Sequence, residues 1–149
     1  LGDACRKLSE KLSKNGFLKA PSGSVAPAIF LMSDGEPTDD FESGLNLLKQ
    51  NNWFKYAIKV AIAIGDDADE EALAKFTGNS EAVITVCTPE KLKKWIRKVS
   101  ITSSQIGSKS QPAFDGKILS KQDAMIDEIK NIQQEEADKD SISTSGDDW

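Results

Sequence analysis

Three short apolar runs, Ala28–Met32 (AIFLM), Ala57–Ile64 (AIKVAIAI) and Ala82–Val86 (AVITV), constrain this chain more than any other feature. None alternates regularly between apolar and polar residues, and each is bounded by turn residues. Each therefore reads as a strand covered on both faces, as in a parallel sheet. Between them lie stretches with helical spacing. Strands separated in this way require right-handed crossovers, which predicts an α/β fold with a parallel, doubly wound sheet and the three strands adjacent in sequence order.

The helical stretches have their own start and stop signals. Ala4, Cys5, Leu8 and Leu12 recur at helical spacing, with Asn15-Gly16 as the stop, and residues 20–27 form a loop. Asp39 or Asp40 can cap a helix through Phe41, Leu45, Leu47 and Leu48 that stops at Asn51-Asn52. Gly65-Asp66-Asp67 turns the chain into a short helix with Asp69, Glu70 and Glu71 at its positive end. Thr88 caps a further helix with Pro89 at its first position and Leu92, Trp95, Ile96 and Val99 as its apolar face. After Ser100 the composition turns polar. A helix is expected from Lys121 to Ala137, with Ala124, Met125, Ile129 and Ile132 as a weak apolar face, and disorder beyond Asp138. Trp149 is assigned no role. The division expected is residues 1–104 as the folded body, 105–137 as a polar linker with a short helix, and 138–149 as an acidic tail.

The chain of 149 residues contains no His, which excludes Ser-His-Asp and Cys-His catalysis within it, and most zinc sites. Cys5 and Cys87 match no metal spacing and read as buried free thiols in a reducing, cytoplasmic setting. No apolar run approaches the roughly 20 residues that cross a bilayer. The net charge of −5 comes from the residues beyond 104, since the body before them is balanced, and nothing in it points to nucleic acid. The chain opens on Leu1 and is helical by Asp3, as a fragment or a processed piece would be.

In an open parallel sheet, ligands bind beyond the carboxyl ends of the strands. Asp34, in IFLMSDGEPTDD, directly follows the first strand and precedes Gly35 and Pro37, too early to cap the next helix simply. The ends of the other strands, Gly65-Asp66-Asp67 and Cys87-Thr88, share that rim. Asp39, Asp40 and the acids from Asp66 to Glu71 read mainly as helix caps and dipole partners. The candidate site is therefore Asp34, with Ser33, Gly35, Asp66 and Asp67 around it.

IFLMSDGEPTD resembles the strand and loop of von Willebrand factor A domains, in which an apolar strand ends in Asp-Gly. VAIAIGDDADEEALAKFTG resembles the next strand and helix of that family, and LGDACRKLSEKL the helix that follows its metal-binding Thr. The match is closest to the bacterial tellurium-resistance, TerY-like branch, and covers roughly residues 1–104. The resemblance implies a metal-ion-dependent adhesion site for Mg2+, with Asp34 at the position of the ligand after the family's fourth strand. It also implies a cytoplasmic protein-interaction role in tellurite or stress resistance, with a partner that supplies a carboxylate to the metal. The family's Asp-x-Ser-x-Ser motif and its Thr have no counterpart here. The expectation is thus the C-terminal part of such a domain, its N-terminal strands missing, with weak or absent Mg2+ binding by this chain alone. The missing half, or self-association, should cover the exposed edge of the first strand.

A binding rather than a catalytic role is expected. The enzymatic alternative, Mg2+-dependent phosphotransfer or phosphatase chemistry on Asp34, needs a Lys at a strand end, and Lys59 lies inside its strand. Lys91, Lys94 and Lys98 share one side of a helix and form a candidate docking surface, for which the acidic tail of the same chain is the nearest occupant.

Overall fold

Apolar residues on both sides of a strand force it into the middle of a layered structure, and the second run takes that place. In a computed structural model, which describes residues 1–13, 26–109, 113–114, 117–118 and 120–144, the strands are β1 (Ala28–Ser33), β2 (Ile58–Ile64) and β3 (Val83–Val86). They form one parallel sheet in the order β1-β2-β3. The register runs from Ala28 beside Ile58 to Ser33 beside Ala63, and from Ala61 beside Val83 to Ile64 beside Val86. The helices are α1 (Gly2–Lys11), α2 (Phe41–Lys49), α3 (Asn52–Tyr56), α4 (Glu70–Thr77), α5 (Pro89–Ser108) and α6 (Lys121–Thr144). A two-residue antiparallel pair, β4 (Ala113–Phe114) with β5 (Lys117–Ile118), lies between α5 and α6.

Alternate side chains of the strands feed two cores. Ile58, Val60 and Ile62, with Ile84 and Val86, pack against Trp95 and Val99 of α5 and Met125 and Ile129 of α6. On the opposite face the small side chains of Ala61 and Ala63 meet Leu73 of α4. Farther along that face, Ile29 and Leu31 pack on a cluster from α1, α2 and α3 that includes Cys5, Leu45, Leu48 and Phe54. The crossovers from β1 to β2 and from β2 to β3 run over this one face, while α5, after the last strand, crosses to the other. The chain is therefore an α/β fold with a three-stranded parallel sheet covered by helices on both faces. The reversed second winding of a doubly wound sheet is not among the described strands.

β1 departs from its reading as a strand covered on both faces. Its residues are exposed or half-buried, and Met32 is 49% exposed. The cause is position: among the described strands β1 has a neighbour on one side only. In α2 the buried positions are Phe41, Gly44, Leu45 and Leu48, spaced i, i+3, i+4 and i+7, which leaves Leu47 on the outside. Asn51 does more than stop α2. Its side-chain oxygen accepts hydrogen bonds from the Trp53 and Phe54 N–H groups and starts α3 (2.9 and 3.2 Å), while its amide nitrogen donates to the carbonyls of Ser9 and Leu12 at the end of α1.

The largest differences lie beyond residue 100. α5 does not end near Ser100. Its buried stripe of Trp95 and Val99 continues at Ser103 and Gly107, so small residues extend the packed face where the composition looks like a linker, whereas Ile96 turns outward. α6 is longer than expected and belongs to the core, with Met125 and Ile129 fully buried. Residues 138–144 continue this helix rather than becoming disordered, since extending a formed helix adds one hydrogen bond per residue fixed. The rest of the expected tail, 145–149 with Trp149, lies outside the described residues, as do the Asn15-Gly16 stop and most of the 20–27 loop. Cys5 is buried, and burial raises its thiol pKa. Cys87 is exposed, against expectation, because β3 has already ended at Val86.

Candidate functional site

β1 and β2 deliver acidic loops to the same end of the sheet. After β1, the Ser33 hydroxyl donates to the Gly35 carbonyl at 3.0 Å and tightens the turn that carries Asp34. After β2, Gly65 takes a left-handed conformation (φ 76°) that a side chain would strain, and its N–H donates to the Val86 carbonyl. The loops meet where the Asp69 N–H reaches the Gly35 carbonyl at 3.5 Å. Between them is an open cleft of about 910 Å3 whose lining includes Asp34, Glu36, Asp66, Asp67, Asp69 and Glu70.

Several of these acids have structural partners. Asp69 caps α4 by accepting from the Ala72 N–H at 2.9 Å, and Glu70 accepts from the Thr85 hydroxyl at 2.5 Å. Glu71 pairs with Lys75. Asp40 caps α2 through the Ser43 N–H, and hydrogen bonding from Ser43 holds its carboxyl below the usual range. Asp39 caps a different helix from the one expected. Its carboxylate accepts from the N–H groups of Gly2 and Asp3, both at 2.7 Å, and from the Leu1 nitrogen. The Asp3 and Gly2 bonds, with the Leu1 amino group, hold Asp39 far below the ordinary carboxylate range. The loop that carries Asp34 thus also anchors the start of α1.

The carboxylates of Asp34, Asp66 and Asp67 remain without a hydrogen bond or ion pair among the described residues. The structure brings Asp34, Gly35, Asp66 and Asp67 to one cleft, with Ser33 supporting the turn. Cys87 and Thr88 do not line it, and Thr88 instead caps α5 through the Lys91 N–H. Among the described residues no three of His, Cys, Asp and Glu are grouped so as to hold a metal ion.

Lys59 is remote from this rim. It lies beside Ile29 in the register, and Asp34 is five residues farther on, about 16 Å at roughly 3.3 Å per residue. Its Nζ donates to the carbonyls of Phe54 and Ala57, and burial lowers its pKa. The lysine that the enzymatic alternative could use is therefore held at the other end of the sheet.

Of the three lysines of the candidate docking surface on α5, two have an occupant in the same chain. Lys94 and Lys98 both reach Glu136 of α6, at 2.8 and 3.3 Å, and Lys91 stays exposed. No isolated signal marked Glu136, one acid among many on a polar helix. Gln122 was equally silent. Its side-chain amide accepts from the Lys59 N–H at 2.7 Å and donates to the Lys59 carbonyl at 2.8 Å, standing in for a strand where β3 falls short.

Compared with known proteins, the sequence matches no protein-family model and no curated protein. No helix among the described residues is long and apolar enough to cross a membrane.

Proposed function

We propose that this chain is the C-terminal part of a von Willebrand factor A-type protein-interaction module, acting through the rim that carries Asp34, in a cytoplasmic tellurite- or stress-resistance setting. The observation that carries the reading is the free Asp34 carboxylate just past the carboxyl end of a parallel strand, on the loop that anchors the start of α1. α1 is the segment that resembles the helix after the family's metal-binding Thr, so the residue before it belongs on the same rim. The outer edge of β1, without a partner among the described strands, supports the reading too. Beside it runs a groove of about 200 Å3 lined by Ala4, Cys5, Leu8, Ile29 and Leu31, and an added strand would cover both.

Asp34 is then one ligand of a site that the rest of the domain and a partner complete. Mg2+ keeps several waters and takes further oxygen ligands beside a single carboxylate to complete its octahedron. Titration calorimetry of the chain alone should show no saturable Mg2+ binding at millimolar concentration. Fusing a family-type first half with its Asp-x-Ser-x-Ser should restore binding, and Asp34→Ala should remove it without unfolding the fusion. Tight Mg2+ binding by the chain alone, or binding by the fusion that survives Asp34→Ala, would overturn this assignment of Asp34.

A further inference from the structure

The end of the sheet opposite the acidic rim is lined by lysines, and it plays no part in the reading above. α2, α3 and α4 all terminate there, each with a lysine in its last turn: Lys49, Lys55 and Lys75. A cation at a helix C-terminus complements the dipole, which accounts for one lysine per helix but not for their convergence. Together with Lys59 they surround a pocket of about 190 Å3 floored by the buried Phe54 and Phe76, whose rings meet edge to face with centroids 5.3 Å apart. No carboxylate lines this pocket among the described residues.

The four ammonium groups are not equivalent. Lys75 is paired with Glu42 and Glu71, at 2.9 and 3.3 Å. Lys59 is held by two carbonyls and stands 5.0 Å from the centre of the Phe54 ring. Lys49 and Lys55 are exposed and have no side-chain hydrogen bond or ion pair among the described residues. Two uncommitted cations therefore flank an apolar hollow with room for one side chain.

We propose that this pocket docks an acidic peptide segment of a partner protein, one that presents a single apolar side chain between carboxylates. The apolar group would enter between Phe54, Phe76 and the lysine stems, and the carboxylates would meet Lys49 and Lys55. A second copy fits less well, since its acidic rim is itself a concave cleft and offers nothing to insert.

Fluorescence anisotropy with the labelled peptide Glu-Asp-Phe-Asp-Glu tests this. Controls are Glu-Asp-Ser-Asp-Glu, which lacks the apolar group, and Lys-Ser-Phe-Ser-Lys, which reverses the charge. The first should bind saturably and weaken with salt, the second should bind several-fold more weakly, and the third should not bind. The double variant Lys49→Glu, Lys55→Glu should lose about tenfold in affinity while remaining folded, its melting temperature lowered only by the lost charge complement at two helix ends. Asp66→Asn with Asp67→Asn, at the opposite end, should bind as the parent does. No saturation with the phenylalanine peptide, or equal affinity for the Lys49→Glu, Lys55→Glu variant, would overturn the proposal. Either result leaves the assignment of Asp34 untouched.

Discussion

Gln122→Ala should destabilise the protein far more than the loss of a polar side chain on a helix ordinarily does. Successive residues of a parallel strand direct their N–H and C=O groups to opposite neighbours. Ile58 turns its N–H to Pro27, on the β1 side. Lys59 accordingly faces the β3 side, yet pairing with β3 begins only at Ala61. The Gln122 amide fills that gap with two hydrogen bonds, at 2.7 and 2.8 Å. A net hydrogen bond contributes about 1 kcal/mol, and a buried group left without a partner costs about 1–3 kcal/mol. Because Lys59 is only half-buried, water can recover part of this, so the expected loss is about 2–3 kcal/mol. In urea, with a slope of about 2 kcal/mol/M, the unfolding midpoint should fall by about 1 M or slightly more. The Lys59 amide should also exchange faster than its neighbours in β2. Gln122→Glu can still accept from the N–H but cannot donate to the carbonyl at pH 7, so its loss should not be recovered by the similar shape. A loss for Gln122→Ala of under about 0.5 kcal/mol, the usual range for surface changes, with unchanged exchange at Lys59, would refute the argument.

Gly44→Ala should cost about 1–3 kcal/mol in thermal unfolding, because the added methyl would collide with the Gly2 carbonyl where α1 crosses α2. At an open helical position the same change would stabilise, so the sign alone is decisive. The Glu136 clasp should shape the acid side of the stability curve. Burial pushes Glu136 up, but the hydrogen bonds and charges of Lys94 and Lys98 outweigh it and leave its pKa below the ordinary value. Its contribution is therefore full above the unfolded carboxylate pKa and lost as pH falls through the folded one, and Glu136→Gln should flatten that part of a pH series of melting temperatures. At the β1 edge, sedimentation velocity should show self-association of the parent chain, and Met32→Lys should suppress it by placing a charge on the strand whose outer edge has no partner among the described strands. A monodisperse parent would contradict the open edge.

The sequence by itself determined what depends on near neighbours. Asp40, Asp69 and Thr88 each cap the helix that begins one residue later, through a bond to the N–H three residues on, so composition and spacing suffice to read them. The apolar run of β2 likewise announced a buried central strand, and Asp34 at a strand end pointed to the rim where the structure gathers it with Asp66 and Asp67. Tertiary structure decided the rest. Asp39 has the same local signature as Asp40 yet caps α1, thirty-seven residues away from Gly2 in the chain. Lys94 and Lys98 meet Glu136, and Gln122 completes the edge of β2, across separations that no periodicity encodes. β1 looked as buried as β2 because both are apolar, and only the strand order showed that one is central and the other lies at the edge. A local hydrogen bond is fixed by a few dihedral angles near the residue that makes it. A partner for a distant side chain exists only once the whole sheet and both helical layers have closed around it.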